Sequence, residues 1–442
     1  ERRFDQSLRR AQPDLVILPC NVFGAQWVVA MARRIASLLP TVPLLVGGTH
    51  PTLSPDLMEE PAITYQLVGE AEIAVTELAN RLASRVPAHD IPGIWVRHHG
   101  KTRDNGVGPR LDDMDSLPLP SRQIYYRYPF LKAFPWKKFS TGRGCENRCS
   151  FCHNEHVRKL YCDDGFVRRK SVERVLDEIE AVRQASTLRW VHFADDLFVT
   201  DRQWLHAFAQ QYPDRIGLPF SCNSSADRMD EEVAGALARA GCRVVAVGVE
   251  TADEERRIRI LHKPSPDRVL ERAAAAVIGA GMELVTFLML ALPGEQPADS
   301  LATIRFSKNL GAHAHRIMMA VPLPGTEMTR EAALAGHVAP ELAENYQARI
   351  DFHNNPYGPF YRVGEPRAFE NLANLAPLLH YLPDALVLPL VRMLPQRLTR
   401  PARLWMSFQE KRLYRFSLLE GIRFYLHVGN PMHRTTNYVS LL

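Results

Sequence analysis

The feature that most constrains the fold is an alternation of strand-like and helix-like segments in two blocks of the chain. In the first block, helical spacing at residues 24–39 and 70–82 separates apolar, strand-like runs at 14–19, 42–48 and 63–69. The second block repeats the pattern, with strands predicted at 138–141, 189–194, 218–223, 243–249, 283–290 and 315–321. Such alternation is typical of parallel sheets covered by helices. The sequence therefore predicts an α/β protein with two sheets.

Each block favours a particular sheet. We expect the first to form a Rossmann-like, doubly wound sheet and the second, with six βα units, a partial TIM-like barrel. The right-handed rule for βαβ crossovers leaves few other arrangements. In both folds ligands bind at the carboxyl ends of the strands, so those ends are where site residues are sought.

Four regions are predicted. They are a Rossmann-like domain at 1–110, an extended, proline-rich linker at 111–137, the barrel at 138–330 and a mostly helical region at 331–442.

From residue 391 onward only Glu410 and Glu420 oppose many basic side chains. A basic amphipathic helix can lie on an anionic membrane, but packing on the barrel is the favoured interpretation. The alternative implies peripheral membrane contact and a lipid-like substrate.

Composition excludes some classes of protein. The 442 residues are 46% hydrophobic, which is ample for two or three buried cores. The net charge of +5 is too small to indicate nucleic acid as a partner. Residues 375–394 are apolar but interrupted by prolines and charges, so no membrane span is predicted. The cysteine usage suits a reducing cytoplasm. Because the sequence starts at Glu1, we expect it to be cut from a longer chain.

Three of the seven cysteines, Cys145, Cys149 and Cys152, lie within eight residues between a predicted strand and a helix-forming run. Three thiolates on one loop can hold three irons of a cubane iron–sulfur cluster and leave the fourth iron open to substrate. A structural zinc site would need a fourth ligand. The candidates for it are His153, His156 and Cys162. A disulfide with a spare thiol is a third interpretation, and the spacing favours the cluster.

Polar or turn-forming residues follow the ends of successive predicted strands. In the barrel block they are Asp195, Asp196, Asn223, Ser224, Glu250 and Gly294. In the first block they are Gly47, Gly48, His50 and Gly69. Each alone can be a helix cap or a turn former. Because the carboxyl ends of parallel strands share one edge, the barrel set predicts a ligand site there.

The order Cys-x3-Cys-x-aromatic-Cys, with Phe151 before the last cysteine, resembles the radical S-adenosylmethionine (SAM) superfamily. The barrel block adds motifs similar to those of this family. They are Asp195-Asp196-x-Phe198, Gly248-Val-Glu250-Thr251 and Leu292-Pro-Gly-Glu295. The first block resembles the cobalamin (B12)-binding domain that precedes the barrel in one group of these enzymes, which contains methyltransferases and anaerobic cyclases. The likeness covers about residues 10–330.

The resemblance implies three cofactors. It implies a [4Fe–4S] cluster on Cys145, Cys149 and Cys152, with Cys162 as a bystander. It implies SAM at Asp195, Asp196, Asn223, Ser224, Glu250 and Gly294, and cobalamin near Gly47, Gly48, His50 and Gly69. Two departures are visible. The family domain normally opens with a further strand–helix–strand where this chain has only a helical stretch at 2–11, and relatives often carry arginine before the residue matching Asp227.

The activity implied by the resemblance is reductive cleavage of SAM to a 5′-deoxyadenosyl radical, which abstracts a substrate hydrogen. The favoured function is C-methylation of an unactivated carbon, with methylcobalamin as the methyl donor. The alternatives are an oxidative cyclase or ring-rearranging enzyme of the same architecture, and a non-catalytic cobalamin- or zinc-binding module. The implied partners are a small-molecule substrate and an electron donor of the reduced flavodoxin or ferredoxin type.

Overall fold

The computed structural model describes residues 2–98, 100–162, 166–338, 360–379 and 382–399. The strands are β1 (Val16–Pro19), β2 (Leu44–Gly47), β3 (Tyr65–Leu67), β4 (Ile94–His98), β5 (Lys101–Arg103), β6 (Trp136–Phe139), β7 (Gly142–Arg143), β8 (Arg168–Arg169), β9 (Trp190–Phe193), β10 (Phe220–Ser224), β11 (Cys242–Glu250), β12 (Glu283–Leu290) and β13 (Ala314–Met319). The helices are α1 (Arg2–Ala11), α2 (Ala25–Leu38), α3 (Thr49–Leu53), α4 (Glu72–Ala83), α5 (Gln123–Tyr126), α6 (Pro129–Ala133), α7 (His153–Leu160), α8 (Val172–Ala185), α9 (Arg202–Arg215), α10 (Glu231–Ala240), α11 (Asp267–Gly279), α12 (Pro297–Asn309), α13 (Glu327–Leu334), α14 (Pro366–Leu379), α15 (Asp384–Met393) and α16 (Gln396–Thr399).

The chain divides into two compact units. The N-terminal unit contains the described residues of 2–112, 151–162 and 322–338, and the barrel unit those of 113–150, 166–321 and 360–399. The sequence did not predict that α7 and α13 group with the first unit. It also predicted an extended linker at 111–137, whereas two short helices, α5 and α6, lie within it.

The N-terminal sheet has the order β1-β2-β3-β4-β5. β1, β2 and β3 are parallel, and β4 and β5 continue the sheet antiparallel. Leu44 and Val46 pack into one core and Leu45 into another, because successive side chains of β2 point to opposite faces. The three parallel strands with a core on each face confirm the Rossmann-like prediction, and among the described strands the order does not reverse.

The barrel unit contains a six-stranded parallel sheet in the order β13-β12-β11-β10-β9-β6. All six predicted strands are present, which confirms the prediction of six βα units in this block. Phe193, Phe208 and Phe220 lie in the core on the helix side, while Trp136 and Trp190 pack on the other face, which we call the lumen. β6 ends at Phe139, two residues earlier than predicted.

The helices of the barrel unit begin where the chain supplies caps. Ser171, Asp201 and Asp230 each accept a hydrogen bond from a backbone amide in the first turn of α8, α9 and α10. Such caps satisfy amides that lack a partner within the helix. Beyond the barrel, the predicted helical character is confirmed for the described part by α14, α15 and α16.

The predictions for the basic residues beyond 399 concern a segment outside the described residues. Among the helices that are described, none has the length and apolar character needed to cross a membrane.

Candidate active site

The loop that carries the first two cysteines is fixed to two neighbouring turns of the barrel unit. Ser150 donates from its amide to the Leu261 carbonyl (3.0 Å) and from its hydroxyl to the Ile260 carbonyl (2.5 Å). On the other side, the Asn147 side chain donates to Ser225 Oγ at 3.2 Å. Glu146 forms an ion pair with Arg228. Arg228 directly follows Asp227, whereas relatives often carry an arginine before this aspartate. These contacts hold the loop to the turns after β10 and β11.

Asp195, at the end of β9, organises the approach to this loop. Its Oδ1 accepts three hydrogen bonds of 2.8 Å, from the amide and hydroxyl of Thr141 and the amide of Gly142. The amides of Thr141 and Gly142 therefore donate to the Asp195 side chain instead of to the backbone of a neighbouring strand. This explains why β6 ends earlier than predicted. Burial raises the pKa of Asp195 to about 6, although these hydrogen bonds and Arg169 act against the rise. Oδ2 is buried and has no hydrogen-bond partner among the described residues.

Asn223 presents a second open acceptor beside Asp195. Its Nδ2 donates to the Asp195 carbonyl at 3.0 Å, and its Oδ1 is buried without a partner in the described chain. Ser224 does not share this position. Cys222 packs on the helix side, so alternation along β10 directs Ser224 to that side and Asn223 to the lumen. The structure thus brings Asp195 and Asn223 together and leaves Ser224 apart.

Glu250 ends β11 with a backbone φ of +66°, a region costly for a residue with a Cβ. Its carboxylate forms a buried ion pair with Lys263, Oε1 to Nζ at 3.1 Å. A Cβ on Gly248 would come within 2.4 Å of Glu250 Oε1 and 2.6 Å of Lys263 Nζ. The glycine of the Gly248-Val-Glu250 motif therefore makes room for this ion pair.

Lys263 also lies within electrostatic range of two predicted cluster ligands. Burial lowers the pKa of Lys263, but Glu250, Cys149 and Cys145 raise it, and the net pKa is above its ordinary value. The ammonium is therefore charged and favours the thiolate form of both cysteines, which is the form that ligates iron. Sequence reasoning missed Lys263 because it follows β11 by thirteen residues, in a segment without a strand-end signal.

A buried arginine holds the turn that carries these contacts. Arg257 is fully buried within the π-helical turn Arg256–Ile260 and donates from Nε to the Ser265 carbonyl at 2.6 Å. It also binds the Thr251 carbonyl and the Asp267 carboxylate. The charge is thus paired, as burial requires. Sequence reasoning missed Arg257 too, since nothing in its local pattern distinguishes it from surface arginines.

The Leu292–Glu295 motif is a turn locked by its own last residue. Glu295 Oε2 accepts from the Leu292 amide at 2.8 Å, and Arg256 donates to the Pro293 carbonyl at 2.9 Å. Burial raises the pKa of Glu295 to about 7. Gly294 has φ +74°, which a glycine adopts without strain. Its contact with SAM stays a prediction.

Two predicted site residues are placed differently from their neighbours. Asp196 is exposed, whereas Asp195 is buried. Cys152 directly precedes α7 and its backbone is extended. Across the part of the chain that the structure describes, no group of three or more His, Cys, Asp or Glu side chains is arranged to hold a metal ion. The ligand role of Cys145, Cys149 and Cys152 therefore rests on their spacing.

The strand ends of the N-terminal sheet are lined by backbone. Gly48 has φ +117°, and a Cβ there would lie 2.6 Å from the Cys20 carbonyl oxygen. Gly69 has φ +99°, and its Cβ would lie 2.5 Å from the Tyr161 hydroxyl. Gly47 packs against Leu67, and His50 is fully buried in α3. The glycines are thus explained by close packing within this unit, and the cobalamin contacts of these four residues stay predictions.

The comparisons with known proteins match both units. Residues 139–307 match the model of the radical SAM superfamily, and residues 2–79 match the B12 binding domain. The chain therefore contains a radical SAM domain and a B12-binding domain, which confirms the predicted resemblance. SAM and a [4Fe–4S] cluster are therefore its cofactors, and the matched B12-binding domain adds cobalamin, which confirms the three predicted cofactors. The non-catalytic interpretation gives way to that of a radical SAM enzyme.

Curated relatives of this radical SAM enzyme are methyltransferases by name. An uncharacterized methyltransferase of Pyrococcus horikoshii is 25% identical over 339 residues, which cover 75% of this chain and 72% of that protein. The cytidylyl-2-hydroxyethylphosphonate methyltransferase of Streptomyces wedmorensis is 24% identical, and the match covers 70% of this chain and 64% of that one. The match to the second relative thus spans less than two thirds of its length.

Solved structures share the fold. The radical SAM methyltransferase TsrM of Kitasatospora setae, determined with tryptophan and a SAM analogue, has a TM-score of 0.61 at 19% identity, covering 76% of this chain and 69% of that chain. The cobalamin-dependent radical SAM enzyme OxsB, with aqua-cobalamin and SAM, has a TM-score of 0.65 at 14% identity, covering 97% and 68%. Because both sequence identities are low, the structural similarity to TsrM and OxsB establishes the fold of this chain.

Proposed function

We propose that this chain is a cobalamin-dependent radical SAM C-methyltransferase that acts on a small organic molecule. The observation that carries the proposal is the pair of buried, open acceptors, Asp195 Oδ2 and Asn223 Oδ1, at the barrel edge to which the cysteine loop is fixed. Buried acceptors are costly unless a donor reaches them. SAM has such donors in its amino group and ribose hydroxyls. The names of the relatives support methyl transfer as the overall reaction.

Each protein group has a distinct task in this proposal. The thiolates of Cys145, Cys149 and Cys152 hold the cluster, and the Lys263 ammonium stabilises the negative charge beside Cys145 and Cys149. Asp195 and Asn223 orient SAM by accepting its hydrogen bonds. When bound, the cluster and SAM supply a 5′-deoxyadenosyl radical and cobalamin supplies the methyl group. The protein positions the substrate carbon and excludes water.

Substrate and partners follow from the same chemistry. One relative is named for a phosphonate substrate and one solved neighbour holds tryptophan, so a small molecule rather than a macromolecule is the proposed substrate. The electron donor is a reduced flavodoxin or ferredoxin. An iron–sulfur cluster and free thiols favour the reducing cytoplasm as the compartment. Peripheral membrane contact would involve residues beyond 399, outside those described.

Anaerobic reconstitution tests the proposal. We expect about four irons with matching sulfide per chain, bound cobalamin, and 5′-deoxyadenosine formed from SAM under reduction. A product heavier by one methylene unit identifies methyl transfer, and hydrogen loss or oxygenation identifies the cyclase alternative. Zinc without sulfide would overturn both. Asn223→Ala should weaken SAM binding about tenfold at unchanged iron content, because it removes one acceptor.

A further inference from the structure

The lumen of the barrel unit carries basic side chains below the proposed SAM edge. Phe139 packs on the helix side of the sheet, so alternation along β6 places Trp136 and Lys138 in the lumen. The same alternation along β13 places Arg316 in the lumen, two residues after Ala314 of the lumen core. Lys138 and Arg316 belong to the two edge strands of the sheet.

Curvature brings these two edges within electrostatic range. In a flat sheet, β6 and β13 would lie about 24 Å apart, since neighbouring strands are about 4.8 Å apart. Nevertheless, burial and then the Arg316 charge lower the pKa of Lys138 to about 7. Burial, Arg316 and Lys138 together lower the pKa of His192, the register partner of Lys138, well below its ordinary value. Trp136 of β6 and Ala314 of β13 belong to the same lumen cluster, and alternation places Lys138, His192 and Arg316 on that face.

Aromatic rings support the two cations. Lys138 Nζ lies 6.0 Å from the centroid of the Trp136 ring, and the Arg316 guanidinium lies 5.4 Å from that of Phe287. His192 stacks on Trp136 at 5.0 Å, and its Nδ1 lies 2.8 Å from Ser221 Oγ. Ring faces attract cations and hold them in place. Lys138 and Arg316 are thus positioned groups rather than free surface chains.

None of the described acidic groups near the lumen forms an ion pair with Lys138. Glu250 is paired with Lys263, and Asp195 binds Thr141 and Gly142. Glu283 shares the lumen face of β12 but lies four residues before Phe287, roughly 13 Å lower along the strand. Lys138 has no carboxylate partner within the described residues. With a pKa near 7, Lys138 is about half protonated at neutral pH, and a bound anion would favour its charged form.

Part of the lumen beside Arg316 is accessible to solvent. Met318, on the same face of β13 as Arg316, is 39% exposed, and Phe287 and Met289 are half-buried. We propose that Lys138 and Arg316 bind an anionic group of the substrate, a carboxylate or a phosphate-type group, while its apolar body lies against Phe287, Met289 and Met318. This inference rests on the proposed function, because it assigns the substrate of that site. The enzyme would therefore act on a small organic anion.

Three probes of similar shape test the charge preference in the reconstituted holoenzyme. Phenylphosphonate, benzoate and the neutral benzamide are titrated calorimetrically. We expect saturable binding of at least one anion and at least about tenfold weaker binding of benzamide, since a charge-assisted hydrogen bond contributes about this factor. Preference for phenylphosphonate indicates a phosphate-type substrate, and preference for benzoate a carboxylic acid. Equal binding of benzamide, or no saturable anion binding, would overturn the proposal.

Variants locate the binding site. Lys138→Gln and Arg316→Gln should each weaken the preferred anion about tenfold, and Arg316→Lys, which keeps the charge, should restore most of the affinity. Arg243→Gln is the control, because Arg243 is an exposed arginine at the start of β11. Unchanged anion binding in both Gln variants would refute the assignment. If one variant folds poorly, unchanged binding in the other is sufficient to refute it, because it tests the same anion.

SAM cleavage without substrate separates the two proposals. Formation of 5′-deoxyadenosine by the wild-type enzyme is measured beside the anion titrations, and Arg243→Gln is the variant expected to match it. If the wild-type enzyme cleaves SAM but shows no charge preference, only the substrate assignment fails. If it prefers anions but does not cleave SAM, the proposed function fails and the anion site remains.

Discussion

The carboxyl edges of the two sheets differ in the groups that line them: side chains at one edge and glycine backbone at the other. At the barrel edge, side chains such as Asp195, Glu250 and Lys263 are buried and held by hydrogen bonds or ion pairs. At the edge of the N-terminal sheet, Gly48 and Gly69 let other groups of the same unit approach the backbone closely. The first edge therefore offers directed side chains that can orient a small ligand such as SAM, whereas the glycines of the second edge permit close packing.

The largest effect should come from the cysteine loop. Cys149→Ala removes one of three cluster ligands, so we expect loss of the cluster and of 5′-deoxyadenosine formation, measured by iron and sulfide content and by chromatography. Cys162→Ala is the matched control, because Cys162 is exposed and lies outside the spacing motif. Retained SAM cleavage in Cys149→Ala would contradict the assignment of the barrel edge.

The buried ion pair comes next. Lys263→Met leaves Glu250 charged and unpaired, which should lower the free energy of unfolding by about 3 kcal/mol in denaturant titrations. The double variant Glu250→Gln, Lys263→Met should recover much of this loss. Both should lose SAM cleavage, since the ammonium beside Cys149 and Cys145 is gone.

A second buried pair separates stability from activity. Lys170 and Arg122 both bind Glu178, at 2.7 Å and 3.3 Å, so the double variant Arg122→Met, Lys170→Met leaves that buried carboxylate unpaired as Lys263→Met leaves Glu250. This double variant should lose stability but cleave SAM like the wild-type enzyme. Equal loss of cleavage in it would show that Lys263 acts through stability alone.

At the N-terminal edge, the expected effect is smaller and confined to one unit. Gly48→Ala combines a strained φ with a contact to the Cys20 carbonyl, and should lower the free energy of unfolding by about 2 kcal/mol without changing iron content. Gly106→Ala is the control, since Gly106 has φ +70° but a Cβ there meets nothing within 4 Å. The difference between the two, measured by thermal unfolding, isolates the steric part. Iron loss in Gly48→Ala would contradict the separation of the two edges.

The smallest effect is a pH dependence at the barrel edge. Burial raises the pKa of Asp195 to about 6, so the folded state binds this proton more tightly than the unfolded state does. The stabilisation is complete below the unfolded pKa and is lost as the pH rises through about 6. Between about pH 7.5 and pH 5 the wild-type protein should therefore gain about 1 kcal/mol relative to Asp195→Asn. A constant difference in unfolding free energy across that range would contradict the raised pKa.

Much of the fold could be predicted because strand and helix periods are local properties of the sequence. Asp195, Asn223 and Glu250 could be found because they end strands. Lys263 and Arg257 could not, since they reach the site from a turn whose path depends on tertiary contacts. The orientation of Ser224 depends on the register of β10, and a shift of one residue reverses it.

The anchoring of the cysteine loop has a consequence for maturation. Ser150, Asn147 and Asp195 tie the loop and its approach to other protein groups by hydrogen bonds. The barrel should therefore fold before iron and sulfide arrive, and a colourless chain purified in air should be native and ready to accept a cluster.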